Sequence, residues 1–215
     1  MLSRPDSSIA GLYLITRETA DTGQLLAAVA AALTAGVRVL QYRDKSSDAA
    51  RRGEQARALV ALCQHHRVPM IVNDDVELAL AAAADGVHLG AQDASFSLAR
   101  ARLGPGRIIG VSCYNSMANA ERAVAAGADY VAFGAFFPST TKPLARRASV
   151  QLLRDARALT VPVVAIGGID ALNGSALIAA GADALAVVGA VWDAADIAAS
   201  VRALSSLFSH SDADR

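Results

Sequence analysis

The chain predicts an α/β fold, a single-domain (β/α)8 TIM barrel. Three observations predict it: eight short apolar runs of strand length, Ala-rich stretches of helix length between them, and a phrase that recurs where several units begin their strands. Candidate strands cover 10–15, 37–41, 69–72, 86–89, 107–111, 130–133, 161–166 and 184–188. They are nearly continuous in apolar residues, the pattern of strands buried on both faces of a parallel sheet. Helix-length segments fall at 22–34, 47–66, 76–84, 95–102, 116–126, 150–158, 171–180 and 190–208, rich in alanine and other good helix formers. The recurring phrases are Ala35-Gly36-Val37, Ala84-Asp85-Gly86-Val87, Gly127-Ala128-Asp129-Tyr130 and Gly181-Ala182-Asp183-Ala184. Glycine in such a phrase can end a helix before the chain turns into a strand. Eight uniform units without a break in composition favour a closed barrel over a doubly wound open sheet, the competing arrangement.

The 215 residues read as one domain, with a core over about 9–208 and frayed tails at 1–8 and 209–215. At 53% hydrophobic and 19% charged, the chain can bury a large core. Twenty basic residues balance twenty acidic ones, so no net field draws it to nucleic acid or to an anionic membrane. No secretory signal is read at 1–11 and no apolar run is long enough to span a bilayer. Cys63 and Cys113 have no CxxC partner and fit reduced thiols in a cytoplasmic protein. Composition does not choose an oligomeric state.

In a barrel of this kind the functional residues stand where strands end. Val72-Asn73-Asp74-Asp75 closes the third strand, and Asp93 follows Asp74 by nineteen residues, just beyond the fourth. Neighbouring strands lie about 4.8 Å apart, so Asp74 and Asp93 can approach one cation. Magnesium suits the pair, since it keeps several waters and uses one or two carboxylates with substrate phosphates. Helix capping is the plainer role of these acids, with Asp75 or Asp74 starting one helix and Asp93 the next.

The second strand ends Gln41-Tyr42-Arg43-Asp44-Lys45. Alternation puts Gln41, Arg43 and Lys45 on one side and Tyr42 and Asp44 on the other, which makes a polyphosphate clamp of an amide and two cations. A solvated loop with a local ion pair also accounts for it. The sixth strand leads into Ser139-Thr140-Thr141-Lys142-Pro143, three hydroxyls and a lysine suited to a phosphate, though also ordinary turn residues. Gly167-Gly168 and Val188-Gly189 close the last two strands, where backbone N–H groups commonly hold a phosphate. Ser112 adds a hydroxyl at the rim of the fifth, or a helix cap, and no His–Asp partner makes it a nucleophile. His88, between Val87 and Leu89, reads as a hydrogen-bonded histidine of the barrel interior.

Read together, Gly11-Leu12-Tyr13-Leu14-Ile15-Thr16, Gln41 to Lys45, Val72 to Asp75, Asp85-Gly86-Val87-His88-Leu89-Gly90, Gly110-Val111-Ser112, Ser139 to Pro143 and Ala165-Ile166-Gly167-Gly168-Ile169 resemble the thiamine-phosphate synthase family. The resemblance runs in order from about Gly11 to Val191. It implies a TIM barrel that joins a hydroxymethylpyrimidine diphosphate to a hydroxyethylthiazole phosphate, giving thiamine phosphate and pyrophosphate. It implies that Gln41, Tyr42, Arg43, Asp44 and Lys45 contact the pyrimidine diphosphate, with Arg43 and Lys45 on its phosphates and Asn73 beside them. Asp74 and Asp93 would carry Mg2+, Ser112 would lie near the pyrimidine, and Lys142 would grip the pyrophosphate. Ser139, Thr140, Thr141, Gly168, Val188 and Gly189 would surround the thiazole phosphate. Arg43, Lys45, Ser112 and Lys142 are thus the candidate catalytic groups.

Four positions depart from the family pattern: Ser139 stands for a frequent threonine, Ala135 for proline, Gly189 for serine and Ala91 for glutamine. Gly189 loses a possible side-chain donor but keeps its backbone N–H. Two other functions share the same barrel. One is a thiazole tautomerase-like isomerase, which needs a base such as His88 and no diphosphate clamp. The other is a barrel that binds thiazole or thiamine phosphate without turnover.

Overall fold

The computed structural model describes residues 9–90, 96–138 and 147–209. Eight parallel strands close into a barrel in sequence order: β1 (Gly11–Ile15), β2 (Val39–Tyr42), β3 (Met70–Asn73), β4 (Gly86–Leu89), β5 (Ile108–Tyr114), β6 (Tyr130–Gly134), β7 (Val163–Ile166) and β8 (Ala184–Val187). Closure is visible at Tyr13, which pairs with Val39 on one side and Ala186 on the other. The helices are α1 (Thr22–Ala35), α2 (Ala49–His66), α3 (Val76–Ala81), α4 (Phe96–Leu103), α5 (Met117–Ala125), α6 (Val150–Asp155), α7 (Gly174–Ala180), α8 (Gly189–Trp192) and α9 (Ile197–Ser209). The open-sheet alternative is thereby excluded.

Local chemistry explains the boundaries. Asp21, Asp48, Asp75, Ser116 and Ser149 each accept a backbone N–H in the first turn of α1, α2, α3, α5 and α6. Such a cap is worth about 1 kcal/mol. The aspartates of the recurring phrases have a different task. Asp85 accepts from the Met70 N–H, Asp129 from Ile109 and Asp183 from Val163, at 2.7–2.8 Å. Each satisfies a donor at the start of the preceding strand, so the phrase ties the barrel bottom together unit by unit.

The single helix expected at 190–208 is instead two. Asp196 accepts the Ala199 N–H and starts α9 afresh, after α8 has ended at Trp192. Likewise α7 begins at Gly174 rather than 171, because Asp170 folds back to accept the Leu172 and Asn173 N–H groups in an Asx turn. The expected helix at 150–158 finishes as a 3-10 turn at Ala156–Ala158.

Two apolar layers fill the molecule. Side chains pointing outward from the strands, such as Leu12, Leu40, Val72 and Leu185, pack against the helices. A smaller inner layer contains Tyr13, Ile15, Val39, Ile71, Tyr130, Ala132 and Val164. Gly110 makes the inner layer possible, because a Cβ there would lie 1.9 Å from the Tyr130 ring. The lumen is therefore a packed floor, and what projects above it lies at the strand C-termini.

Candidate active site

β2 and β1 build the first wall together. Thr16, one residue past β1, accepts the Arg43 N–H through its hydroxyl at 2.8 Å, and Glu18 accepts the Lys45 N–H at 3.1 Å. The two cations of the expected clamp are thus fixed by backbone bonds to the neighbouring strand end. Among the described residues the Arg43 guanidinium has no ion pair, while Lys45 Nζ lies 3.1 Å from Asp74 Oδ2.

Alternation along this segment holds, and it corrects one expectation. Gln41 turns inward and donates to the Tyr13 hydroxyl at 2.9 Å. Tyr42 and Asp44 turn the other way. The Tyr42 hydroxyl donates to Gln55 of α2 at 2.9 Å, and Asp44, its side chain fully buried, accepts the Ser46 N–H at 2.7 Å and faces Arg51 at 3.5 Å. Their side chains brace the loop from behind, because a strand that sends Gln41 to the lumen must send the alternate positions, Tyr42 and Asp44, to the helices. Burial raises the Asp44 carboxyl, but the Ser46 hydrogen bonds and the Arg51 charge outweigh it and hold the group below the ordinary value of 3.8.

At the end of β3 the two acids separate in role. Asp75 caps α3 by accepting the Leu78 N–H and pairs with Arg52 of α2 at 2.7 Å. Asp74 sits in the left-handed region at φ 62°. Its Oδ2 accepts from Asn73 Nδ2 at 2.7 Å and faces Lys45. Register places Asn73 beside His88 of β4. Lys45, Asn73, Asp74, Arg52, Glu77 and Arg102 line a cavity of about 690 Å³ between these strand ends, α3 and α4. Its walls carry both signs of charge. Asp93 lies outside the described residues, and among those described no group of three or more His, Cys, Asp or Glu gathers.

Across the lumen, Ser112 belongs to β5 and is no helix cap; Ser116 caps α5 instead. Its hydroxyl is 2.9 Å from His88 Nε2, and His88 Nδ1 is 2.9 Å from the Tyr130 hydroxyl. His88 is therefore the hydrogen-bonded interior histidine its neighbours suggested. Tyr13 and Tyr130, which the sequence reading passed over, join this network, their hydroxyls 2.8 Å apart. The available signal was parity: Tyr13 and Tyr130 have the same orientation as Ile15 and Ala132, so each carries a polar tip into the lumen.

The far side of the mouth is built from glycine. Gly168, at φ 62°, passes so close to the loop after β6 that a Cβ would lie 2.3 Å from the Pro138 carbonyl oxygen. Asn173 holds the Gly168 carbonyl at 3.0 Å. Val188 packs on the inner layer, and Gly189 opens α8, where a Cβ would lie 2.9 Å from Asp193 Oδ2. The same Asp193 pairs with Arg17, which follows β1. Ser139, Thr140, Thr141 and Lys142 lie outside the described residues. The described residues thus bring Gln41, Arg43, Lys45, Asn73, Asp74 and Ser112 to one end of the barrel, and Gly168, Val188 and Gly189 to the same end on its opposite arc.

Comparison with known proteins agrees with this geometry. The family model described as thiamine monophosphate synthase matches residues 12–191. A thiamine-phosphate synthase of Thiobacillus denitrificans is 57% identical over 199 residues, 92% of this chain and 94% of its own. One from Aromatoleum aromaticum is 55% identical over 205 residues, 95% of this chain and 99% of its own. Among solved structures, thiamine phosphate pyrophosphorylase from Pyrococcus furiosus superposes with a TM-score of 0.84 at 32% identity, covering 94% of this chain and 96% of that one. The chain belongs to the thiamine-phosphate synthase family and is an enzyme of that family.

Proposed function

We propose that this barrel condenses 4-amino-2-methyl-5-(diphosphooxymethyl)pyrimidine with 4-methyl-5-(2-phosphooxyethyl)thiazole, giving thiamine phosphate and pyrophosphate. The observation that carries the reading is the pairing of Lys45 with Asp74 beside Asn73, a cation and a carboxylate meeting at the mouth where a metal-bound diphosphate would be held. Gln41 and Ser112 supply polar contacts deeper in the lumen for the pyrimidine ring. Gly168, Val188 and Gly189, with Ser139, Thr140 and Thr141, take the thiazole phosphate.

Mg2+ fits the donor chemistry. Asp74 is a partly exposed carboxylate beside Lys45 and Asn73, while Asp75 caps α3, and a hard oxygen ligand is what that ion requires. Asp74 and Asp93 would hold it. When bound, it neutralises charge gathering on the departing diphosphate.

The chemistry needs no protein nucleophile. The bond between the pyrimidine methylene carbon and the diphosphate oxygen breaks, and its electron pair leaves with pyrophosphate. The aminopyrimidine delocalises the positive charge left on the methylene, and the lone pair of the thiazole nitrogen forms the new carbon–nitrogen bond. No proton is transferred in that exchange. Arg43, Lys45 and Lys142 stabilise the leaving group more as its charge grows, which lowers the barrier rather than merely binding substrate. Asn73 orients the carboxylate of Asp74 through their 2.7 Å hydrogen bond. Holding both substrates at one mouth supplies the rest.

The isomerase reading is weaker, because both ring nitrogens of His88 are already hydrogen-bonded to Tyr130 and Ser112. No helix among the described residues is long and apolar enough to cross a membrane. With its buried free thiols at Cys63 and Cys113, this suits an enzyme working on small molecules in the cytoplasm. The experiment is direct: purified protein with both substrates and Mg2+ should yield thiamine phosphate by mass spectrometry with equal pyrophosphate release. Binding of both substrates without product would leave the non-catalytic barrel.

A further inference from the structure

Among the described residues, one continuous line of polar side chains runs through the largely apolar inner layer of the barrel. Gln41 Nε2 donates to the Tyr13 hydroxyl at 2.9 Å, Tyr13 and Tyr130 hydroxyls meet at 2.8 Å, Tyr130 reaches His88 Nδ1 at 2.9 Å, and His88 Nε2 reaches Ser112 at 2.9 Å. The line crosses the lumen from β2 through β1, β6 and β4 to β5. Tyr13 is 1% exposed and Tyr130 is fully buried, and burial holds both phenols protonated by raising their pKa values. Stacking of His88 on Tyr130, with ring centroids 5.5 Å apart, fixes the turn in the middle.

Proton counting gives this line a direction. An amide nitrogen only donates and each phenol has one proton. Tyr13 accepts from Gln41, so its own proton goes to Tyr130. Tyr130 then gives its proton to His88 Nδ1. A neutral imidazole that accepts at Nδ1 carries its proton on Nε2 and donates it to Ser112. Ser112, having accepted, keeps its O–H to offer elsewhere. At the other end, Gln41 has committed its amide nitrogen to Tyr13, which fixes the orientation of the amide and leaves its carbonyl oxygen as the acceptor.

We propose that Tyr13, Tyr130 and His88 are positioning residues that lock Gln41 and Ser112 into one hydrogen-bonding polarity, so that Ser112 meets the substrate as a donor to a ring-nitrogen acceptor and Gln41 as an acceptor. The inference rests on the reading that these two side chains hold the pyrimidine. A heteroaromatic ring that carries an amino group beside ring nitrogens needs such a donor and acceptor at fixed places. A floor of Val and Ile would fill the space equally well but could not set that polarity.

Tyr130→Phe tests it, because the ring still fills the space left by Gly110 while the central hydroxyl disappears. The expected result is a rise in KM for the pyrimidine diphosphate of roughly five- to twentyfold, the worth of one to two hydrogen bonds. KM for the thiazole phosphate should stay within about twofold. Because one arm of the network acts through Ser112, the effects of Tyr130→Phe and Ser112→Ala should be clearly less than additive in the double variant. Independently of turnover, long-range 1H–15N spectra at pH 8 should show His88 protonated at Nε2 in the unaltered protein. Tyr13→Phe, which frees Gln41 while Tyr130 still donates to His88, should raise the same KM and be less than additive with Gln41→Ala, which keeps the kinetic test available should Tyr130→Phe not fold. Full additivity with Ser112→Ala, or a His88 protonated at Nδ1, would overturn the proposal. Absence of product from the unaltered protein would instead strike the synthase reading, and the spectra would still decide the polarity.

Discussion

Lys45 Nζ lies 3.1 Å from Asp74 Oδ2, so the ends of β2 and β3 are joined by the two groups proposed to handle diphosphate and metal. The pair is partly exposed, and such pairs contribute about 0–1 kcal/mol. It can therefore open at little loss when a stronger ligand arrives for either member. The residue that does the structural work of this corner is Asp75, which caps α3 and pairs with Arg52. Asp74 adopts a left-handed backbone, uncommon for a residue with a side chain, and its carboxylate is left facing the mouth.

Asp74→Asn should therefore separate activity from stability. Turnover should fall by roughly ten- to a thousandfold, since a metal-borne charge effect is worth several kcal/mol. Stability should change by no more than about 0.5 kcal/mol, as for other substitutions away from buried features. Pyrophosphate release measured across a magnesium titration, beside thermal denaturation, checks both. Near-native turnover at every magnesium concentration would remove Asp74 from the metal site.

Gly189→Ser restores the hydroxyl that the family pattern favours. The new Cβ meets only the far end of Asp193, which can swing aside, and the Arg17–Asp193 pair opens with it. Affinity for the thiazole phosphate should rise by roughly two- to tenfold, one added hydroxyl hydrogen bond to the anion, offset in part by opening the Arg17–Asp193 pair, being worth about 1 kcal/mol net. Calorimetric titration with the thiazole phosphate measures it, and weaker binding in the variant would place that phosphate elsewhere.

Gly110→Ala should be among the most damaging small changes in the barrel. A single methyl would lie 1.9 Å from the Tyr130 ring, inside a floor with nowhere to move. Overpacking of this kind typically costs about 1–3 kcal/mol, or several degrees of Tm for a chain of this size. Differential scanning calorimetry reads the loss. An unchanged Tm would mean that Tyr130 does not occupy the lumen as described.

The Asp44 carboxyl gives a pH signature. Its folded pKa is depressed, so its charged form stabilises the fold, and that stabilisation is complete above the unfolded value near 3.8. It is lost as pH falls through the lower folded value. Asp44→Asn should thus be less stable than the parent by roughly 1–3 kcal/mol at pH 7. The gap should narrow below about pH 4. Parallel urea titrations at pH 7, 4 and 3 follow it; a gap that widens on acidification would contradict the assignment.

Much of this architecture was legible in the linear chain because its signals are local. Strand and helix lengths, the recurring Gly and Ala-Asp phrases and the apolar strands all follow from rules that act over a few residues, and they set the order β1 to β8. The candidate site was legible as well wherever it sits at a strand end, since alternation alone sends Gln41 inward and Tyr42 outward. Helix boundaries near Asp170 and Asp196 were less so, because Asx turns there competed with helix propensity and won.

What only the tertiary structure decided depends on residues far apart in sequence. Nothing near Asp74 or Asp75 says which of them caps α3 and which faces Lys45; the backbone at Asp74 and the position of Arg52 on α2 settle it. The line from Gln41 to Ser112 joins five strands, and its longest step, from Tyr13 to Tyr130, spans 117 residues. Such a contact has no periodicity to betray it. It exists because closure brings β1 and β6 to face each other across a lumen too narrow and too dry for their two hydroxyls to remain apart.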